Sequence, residues 1–353
     1  MGTRVRRRGA AAIAGGPAMA AAIAIAIPAV AAASGSRPAG PPATHLQAAA
    51  GMGGRGDRPR QLAFSPDGKI LATADTDGTA RLWKVATQRQ IGAPIKVSGA
   101  QVKDVAFSPD GKVLATADSD GTVRLWSVAT HRQIGAPFRV SHVKVLSVAF
   151  SPDGTMLATG GIGGAARLWR VATRRQIGGA MPTGAAEISQ VAFSPNGKIL
   201  ATVYEFSVAL WSVATHRKTG KPIGAAPSNA VLRVAFSPDS TLLATAGNNF
   251  GIIRVWSVTT HRRIGGTMSA GRTDAYGIAF TPNGKTLVAT DTDGTISQWS
   301  VATHHQIRAP IIAPGHPHPA FGVEALSPHG KILATTQFDG PARLWNLAAA
   351  KQA

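Results

Sequence analysis

The sequence predicts an all-β fold assembled from seven copies of one four-stranded unit. Three observations carry that prediction. The segment FSPDGK begins at Phe64 and Phe107, with variants beginning at Phe150, Phe193, Phe236, Phe280 and Leu326. A tryptophan stands near the end of the third strand of each copy, at Trp83, Trp126, Trp169, Trp211, Trp256, Trp299 and Trp345, which accounts for every tryptophan in the chain. Their separations of 43, 43, 42, 45, 43 and 46 residues define the repeat.

Each copy reads as an antiparallel meander. The first strand is the VAF run (DVAF, SVAF, QVAF, RVAF), stopped at SPDG, where Pro and Asp-Gly supply turn geometry. KILATA and its variants form the second strand. A tight turn at DTDGT or DSDGT then leads into the third, TVRLWSV, whose alternation suits a sheet with two different faces. The fourth is RQIGAPI, whose copies contain Pro94, Pro137, Pro222 and Pro310. Proline is tolerated on edge strands, so this strand is expected at the outer edge, where it also deters edge-to-edge pairing.

A four-stranded repeat of this length with Trp near the end of its third strand resembles the WD40-repeat β-propeller family. The wording FSPDGK…LATADxDGTVRLW is similar to bacterial members, those of actinobacteria in particular. The resemblance runs from Gln61 to about Leu347 and implies seven blades around a central channel. The Trp is never followed by the family's Asp. The family's blade network joins a His that precedes the first strand, a strand-two Ser/Thr, a hairpin Asp and the Trp. Only His142 and His316 or His318 come near the His position, so the network is incomplete in blades one to six. The threonines match as Thr73, Thr116, Thr159, Thr202, Thr245, Thr290 and Thr335, and the structural hairpin aspartates as Asp77, Asp120, Asp293 and Asp339. Blades three, four and five carry Gly163, Glu205 and Phe250 at the Asp position, so these blades are expected to be the more irregular. The chain ends eight residues after Trp345, too soon for a fourth strand, and the stretch Thr44–Gly51 is the candidate to supply it.

Composition sets the remaining bounds. Hydrophobic residues make up 44% of the chain, enough for a packed core, and the 40 Gly and 23 Pro fit a turn-rich fold. Without Cys there is no disulfide, thiolate zinc site or cysteine nucleophile. Lys and Arg exceed Asp and Glu by 37 to 17, a net charge of +20 that favours anionic surfaces. The basic TRVRRR, an apolar run from Gly9 to Ala33 and the small-residue end AVAAAS form a signal peptide pattern. Residues 1–33 are therefore read as a signal peptide or a single membrane-anchor helix. Weakly apolar alanine, with Pro17 and Pro28, favours cleavage. Either form places the propeller outside the cytoplasm, secreted or membrane-anchored; a misassigned start codon would instead leave it cytoplasmic. Residues 34–60, rich in Gly, Pro and Ala, read as a flexible linker that contains the chance-prone tripeptide RGD at Arg55–Asp57, and residues 61–353 as the propeller.

Asp-x-Asp-Gly at Asp75/Asp77, Asp118/Asp120 and Asp291/Asp293 suggests calcium, yet no further oxygen ligands follow, so the hairpin reading prevails. No metal site or cofactor is expected, and no catalytic residue stands out: there is no nucleophile elbow or phosphate loop, and few glutamates. The basic residues form the candidate site. In a meander the SPDGK and VATHRQ turns share one end of the blade. They bring together Lys69, Arg89, Lys112, Arg132, Arg174, Arg175, Lys198, Arg217, Lys218, Arg262, Arg263, Lys285 and Lys331, with His131, His216, His261 and His304 among them. Sparse aromatics in these turns argue against nucleic acid. The chain is expected to be a monomeric, non-enzymatic interaction scaffold with a basic face for an acidic protein partner. The alternatives are an enzyme or small-molecule binder using the channel, and a sensor module of a larger signalling system.

Overall fold

The computed structural model describes residue 52 and residues 59–97, 99–205, 207–224, 231–248, 251–269, 273–312, 321–337 and 340–347. The segment 1–33, the stretch Thr44–Gly51, the RGD tripeptide, Phe250 and Asp339 lie outside the described residues.

Seven antiparallel sheets follow one another along the chain, and in each the strands pair in sequence order. Blade one consists of Pro59–Phe64, Ile70–Asp75, Thr79–Lys84 and Arg89–Lys96. The sheet thus begins at Pro59, inside the stretch read as linker. In blades one to six the second strand is buried at five consecutive positions, as in Ile70–Asp75. A strand covered on both faces needs small side chains, which explains Ala72 and Ala74 and their copies. The fourth strand is largely exposed, as the prolines require. In blade four it is reduced to the bridges Trp211↔Lys218 and Val208↔Ile223.

One cross-strand pair recurs in every blade. Leu71 lies opposite Trp83, and the same register pairs Leu114 with Trp126, Leu157 with Trp169, Leu200 with Trp211, Leu243 with Trp256, Leu287 with Trp299 and Leu333 with Trp345. These pairs feed apolar clusters that straddle neighbouring blades. Ala72, Leu82 and Ile95 of blade one, for example, pack with Val102, Leu114 and Trp126 of blade two. Phe138 of blade two meets Trp169 of blade three edge-on, with ring centroids 6.1 Å apart. Burial of a Trp or Leu side chain contributes roughly 1.5–3 kcal/mol, so the neighbour contacts hold the ring together.

The ring closes through Met52. Its N–H donates to Ala342 O at 2.9 Å and its carbonyl accepts from Ala342 N–H at 3.1 Å, which adds a fourth strand position to blade seven. Met52 is 1% exposed and packs with Leu62, Leu71 and Trp83 of blade one and with Ala342 and Leu344 of blade seven.

A second link between blades runs around the perimeter. Residues Gln88, His131, Arg174, His216, His261 and His304 end the turn before the fourth strand, all with positive φ between 55° and 59°. Each N–H reaches back four residues, as in His131 N–H to Ser127 O at 2.8 Å. This left-handed conformation turns the side chain toward the preceding blade. His131 Nδ1 lies 2.8 Å from Ala93 O, His261 Nδ1 2.8 Å from Lys221 O, and Arg174 Nη2 donates to Ile134 O at 2.9 Å. The five side chains from His131 to His304 sit on Gly92, Gly135, Gly178, Gly220 and Gly265 of the blade before. The histidines, expected as solvated charge on the rim, are therefore hooks between blades.

Two adjacent glycines provide a test. A Cβ on Gly178 would collide with the His216 ring and sit at a φ of +61°, whereas one on Gly179 meets nothing within 4 Å. Gly178→Ala should lower the urea midpoint, by about 2 kcal/mol of stability or more, while Gly179→Ala should leave it within about 1 kcal/mol. Equal effects of the two substitutions would contradict the hook.

Candidate functional site

The end of the ring that carries SPDGK also carries VATHRQ, because each pair of turns is stitched together. Val85 N–H donates to Lys69 O at 2.9 Å, Val128 N–H to Lys112 O at 2.9 Å and Val213 N–H to Lys198 O at 2.9 Å; blades six and seven repeat the bond through Lys285 and Lys331. Lys69, Arg89, Lys112, Arg132, Arg175, Lys198, Arg217, Lys218, Arg262, Arg263, Lys285 and Lys331 are exposed at this end. Arg174 is half-buried and spent on its inter-blade bond, and Lys218 Nζ sits 5.2 Å from the centre of the Trp211 ring. Four aspartates share this end, a feature the sequence reading passed over. In blade one Ser65 Oγ donates to Asp67 Oδ1 at 2.6 Å and Lys69 N–H to the same oxygen at 3.0 Å. These bonds hold Asp67 below the usual carboxylate range, and Asp110, Asp153 and Asp239 repeat the arrangement.

At the opposite end the hairpin aspartates are occupied. Asp77 Oδ1 accepts from Thr79 N–H at 3.0 Å and from its hydroxyl at 2.7 Å, and Asp120 does the same for Thr122. Asp293 accepts from Thr295 N–H at 3.0 Å. The buried link to the tryptophan runs instead through the preceding aspartate. Trp83 Nε1–H donates to Thr73 Oγ1 at 3.2 Å, and Thr73 Oγ1–H to Asp75 Oδ2 at 3.1 Å. Arg81 then donates to Asp75 at 2.6 Å and to Asp77 at 2.7 Å. Blade two repeats this with Thr116, Asp118, Asp120 and Arg124. Burial, partly offset by the arginine, raises Asp75 to about 6 and Asp118 to about 7. A guanidinium thus fills the space between the carboxylates that the metal reading had weighed.

Of the three blades expected to be irregular, blade four has its fourth strand reduced to bridges, but all three keep the tryptophan bond. Trp169, Trp211 and Trp256 each donate to their threonine at 3.0 Å. Without an aspartate, Thr202 and Thr245 turn their hydroxyls to the carbonyls of Ala209 and Arg254. Blade six lacks the threonine: in register with the tryptophan, Ala289 stands where blade one has Thr73, and the Thr290 matched from the sequence falls one residue on. Trp299 Nε1 is therefore buried without a partner, as are both Asp291 oxygens. Two further substitutions shape the cluster. Ser297 stands where blades one and two have Arg81 and Arg124, and Glu324 stands where the other first strands have Leu62, Val105, Val148, Val191, Val234 and Ile278. Gly277 leaves the room that Glu324 takes: a Cβ there would collide with the Glu324 carboxyl and the Thr290 hydroxyl. Burial, reinforced by the charge of Asp291, pushes Glu324 up to about 8. Burial, with Asp293 and Asp274 nearby, raises Asp291 to about 8 as well.

The channel is lined by first strands. Three residues before the Phe of each VAF run stand Gln61, Asp104, Ser147, Gln190, Arg233 and Gly277. Three of them hold the next blade. Asp104 Oδ2 accepts from the Ser147 hydroxyl at 2.9 Å and from Val148 N–H at 3.0 Å; Ser147 Oγ accepts from Val191 N–H at 3.1 Å; Gln190 Oε1 accepts from Val234 N–H at 3.0 Å. Burial raises Asp104 to about 6. Arg233 has no oxygen to offer blade six. Its Nη1 donates to Leu232 O at 2.9 Å, and burial holds it below its ordinary value. The signal for this ring was the one variable letter in an otherwise repeated word, the first of DVAF, SVAF, QVAF and RVAF.

Six stretches of the chain match the family described as WD domain, G-beta repeat: residues 54–84, 92–127, 135–170, 180–212, 220–257 and 265–300. They make up more than half of its length. The chain is a member of the WD40 family. No curated protein matches it. Each complete WD40 repeat runs from the outer strand of one blade into the three inner strands of the next, so the repeat is offset from the blade. Blade seven lies outside the six matches, yet it keeps the same register and the same bond, Trp345 to Thr335 at 2.8 Å.

The raised carboxyls fix the direction of a pH effect. Glu324 and Asp291 bind their protons more tightly folded than unfolded. Their contribution to stability is complete below the ordinary carboxylate range and is lost as pH rises through about 8. Urea midpoints at pH 5.5 and pH 8.5 should therefore differ in the parent chain, and Glu324→Gln should narrow the difference. Parallel pH profiles for the two proteins would refute the account of this cluster.

Proposed function

We propose that this WD40 propeller is a non-enzymatic interaction scaffold that presents its SPDGK/VATHRQ end to an acidic protein partner. The observation that supports the reading is the stitching of the two turns in blade after blade, which gathers exposed lysines and arginines at one end. Thirteen cations were named there against four aspartates, so the end stays basic after Arg174 and Lys218 are set aside. The aspartates are tied to their own turns and accept from Ser65, Ser108, Ser151 and Ser237. The arginines at 132, 217 and 262 have no ion-pair partner among the described residues and extend from turns fixed by the histidine hooks. Such a surface gives a partner rapid, salt-dependent association, with orientation set by the rigid frame.

Polyglutamate serves as the probe. The chain should bind it at low salt and lose most of that affinity at physiological salt. The triple variant Arg132→Glu, Arg217→Glu, Arg262→Glu should weaken binding about tenfold or more. Replacing Asp77 and Asp120 by Asn, at the other end, should change it little. No binding at low salt, or equal losses from both sets of substitutions, would reject the basic end as a docking surface.

A further inference from the structure

The axis of the ring holds a cavity of about 190 Å³ lined by Gln61, Asp104, Gln190, Arg233, Tyr276 and Glu324, among others. An apolar cavity of about 150 Å³ accommodates a benzene-sized guest, so this one has room for a small molecule and is too small for a drug-sized one. Its chemistry is unlike that of the blade interfaces, which are apolar. One guanidinium, Arg233, and two carboxyl groups, Asp104 and Glu324, face it, and Arg233 and Asp104 come from blades that stand three apart in the ring. Arg233 makes a single hydrogen bond, to Leu232 O, and no carboxylate among the described residues pairs with it at contact distance. The rest of its planar donor fork is unspent, and that fork matches a carboxylate. Asp104 is different: its oxygens take Ser147, Val148 and Val105, all neutral donors, and Arg233 acts on its charge without a hydrogen bond between them.

A simple anion drawn to Arg233 would meet the Asp104 charge, and a simple cation drawn to Asp104 would meet Arg233. A molecule carrying both charges satisfies both. We propose that the axial cavity binds a small zwitterion, an α-amino acid or a betaine, with its carboxylate on Arg233 and its ammonium facing Asp104. Gln61 and Tyr276 line the space left for the remaining atoms. The site is independent of the basic end, since it uses the first strands and not the turns. It also separates the two routes by which this ring could meet a ligand, a macromolecule at one end and a metabolite on the axis.

The experiment is a thermal-shift titration of the full chain with glycine, alanine, glycine betaine, acetate, methylamine and inorganic phosphate. A ligand that binds only the folded state raises Tm with its concentration. At least one zwitterion should raise it, while acetate, methylamine and phosphate at the same concentration should not. Isothermal titration of the active zwitterion should then show about tenfold or greater weakening in Arg233→Gln. Arg233→Lys, which keeps the charge, should recover part of the loss; far-UV circular dichroism checks that both variants fold. The proposal fails if no zwitterion shifts Tm, if acetate or phosphate does so equally, or if Arg233→Gln binds as the parent does.

Discussion

The whole molecule depends on one constraint: no blade can bury its own second strand. ILATAD and its copies are covered on both faces, and the cover comes from the sheets on either side. Every stabilising device is accordingly a contact between neighbours, and these devices lie at three radii. Near the axis, Asp104, Ser147 and Gln190 grip the next blade's first strand. At mid-radius the Leu–Trp pairs fill the apolar clusters. At the rim, His131, Arg174 and His261 bond to the preceding blade's outer strand. A ring held this way has no natural end, so the chain must return to where it began, and Met52 beside Ala342 is that return.

Much of this was legible in the letters. The period, the strand order, the Pro-marked outer edge and the pairing of the two basic turns all follow from local chemistry repeated seven times. What escaped was chemistry between copies. The glycine of RQIG and the histidine of THRQ look like an ordinary turn pair within one repeat, but His131, Arg174, His216, His261 and His304 each sit on the glycine of the copy before, and His131, Arg174 and His261 bond residues 38 to 42 positions earlier. Arg81 and Arg124 were visible six residues after Asp75 and Asp118, yet only the fold shows that one guanidinium serves two carboxylates.

Of blades three to five, expected to be irregular, blade four loses its fourth strand to isolated bridges, while each keeps its tryptophan bond. The missing aspartates there matter little because the threonine hydroxyl finds a backbone carbonyl in blades four and five. In blade six the indole loses its acceptor because Ala289 takes the threonine's register position, and Glu324 enters from blade seven through the space above Gly277. A residue-by-residue match cannot register an intrusion from another copy. The same contrast picks out the axis, where positions that elsewhere hold the next blade carry a guanidinium instead. Departures from the repeat, read against its intact copies, thus mark where the ring does more than support itself.

Closure through Met52 is the point on which the account stands most exposed, and amide hydrogen exchange reaches it directly. In the full chain the Ala342 amide, which donates to Met52, should be protected to the same degree as interior strand amides such as that of Ala115 in blade two. Met52→Asp should remove that protection across Gly340–Asn346 while blades two to four keep theirs. An Ala342 amide that exchanges freely in the parent chain, or that is untouched by the substitution, would contradict a ring closed by this residue.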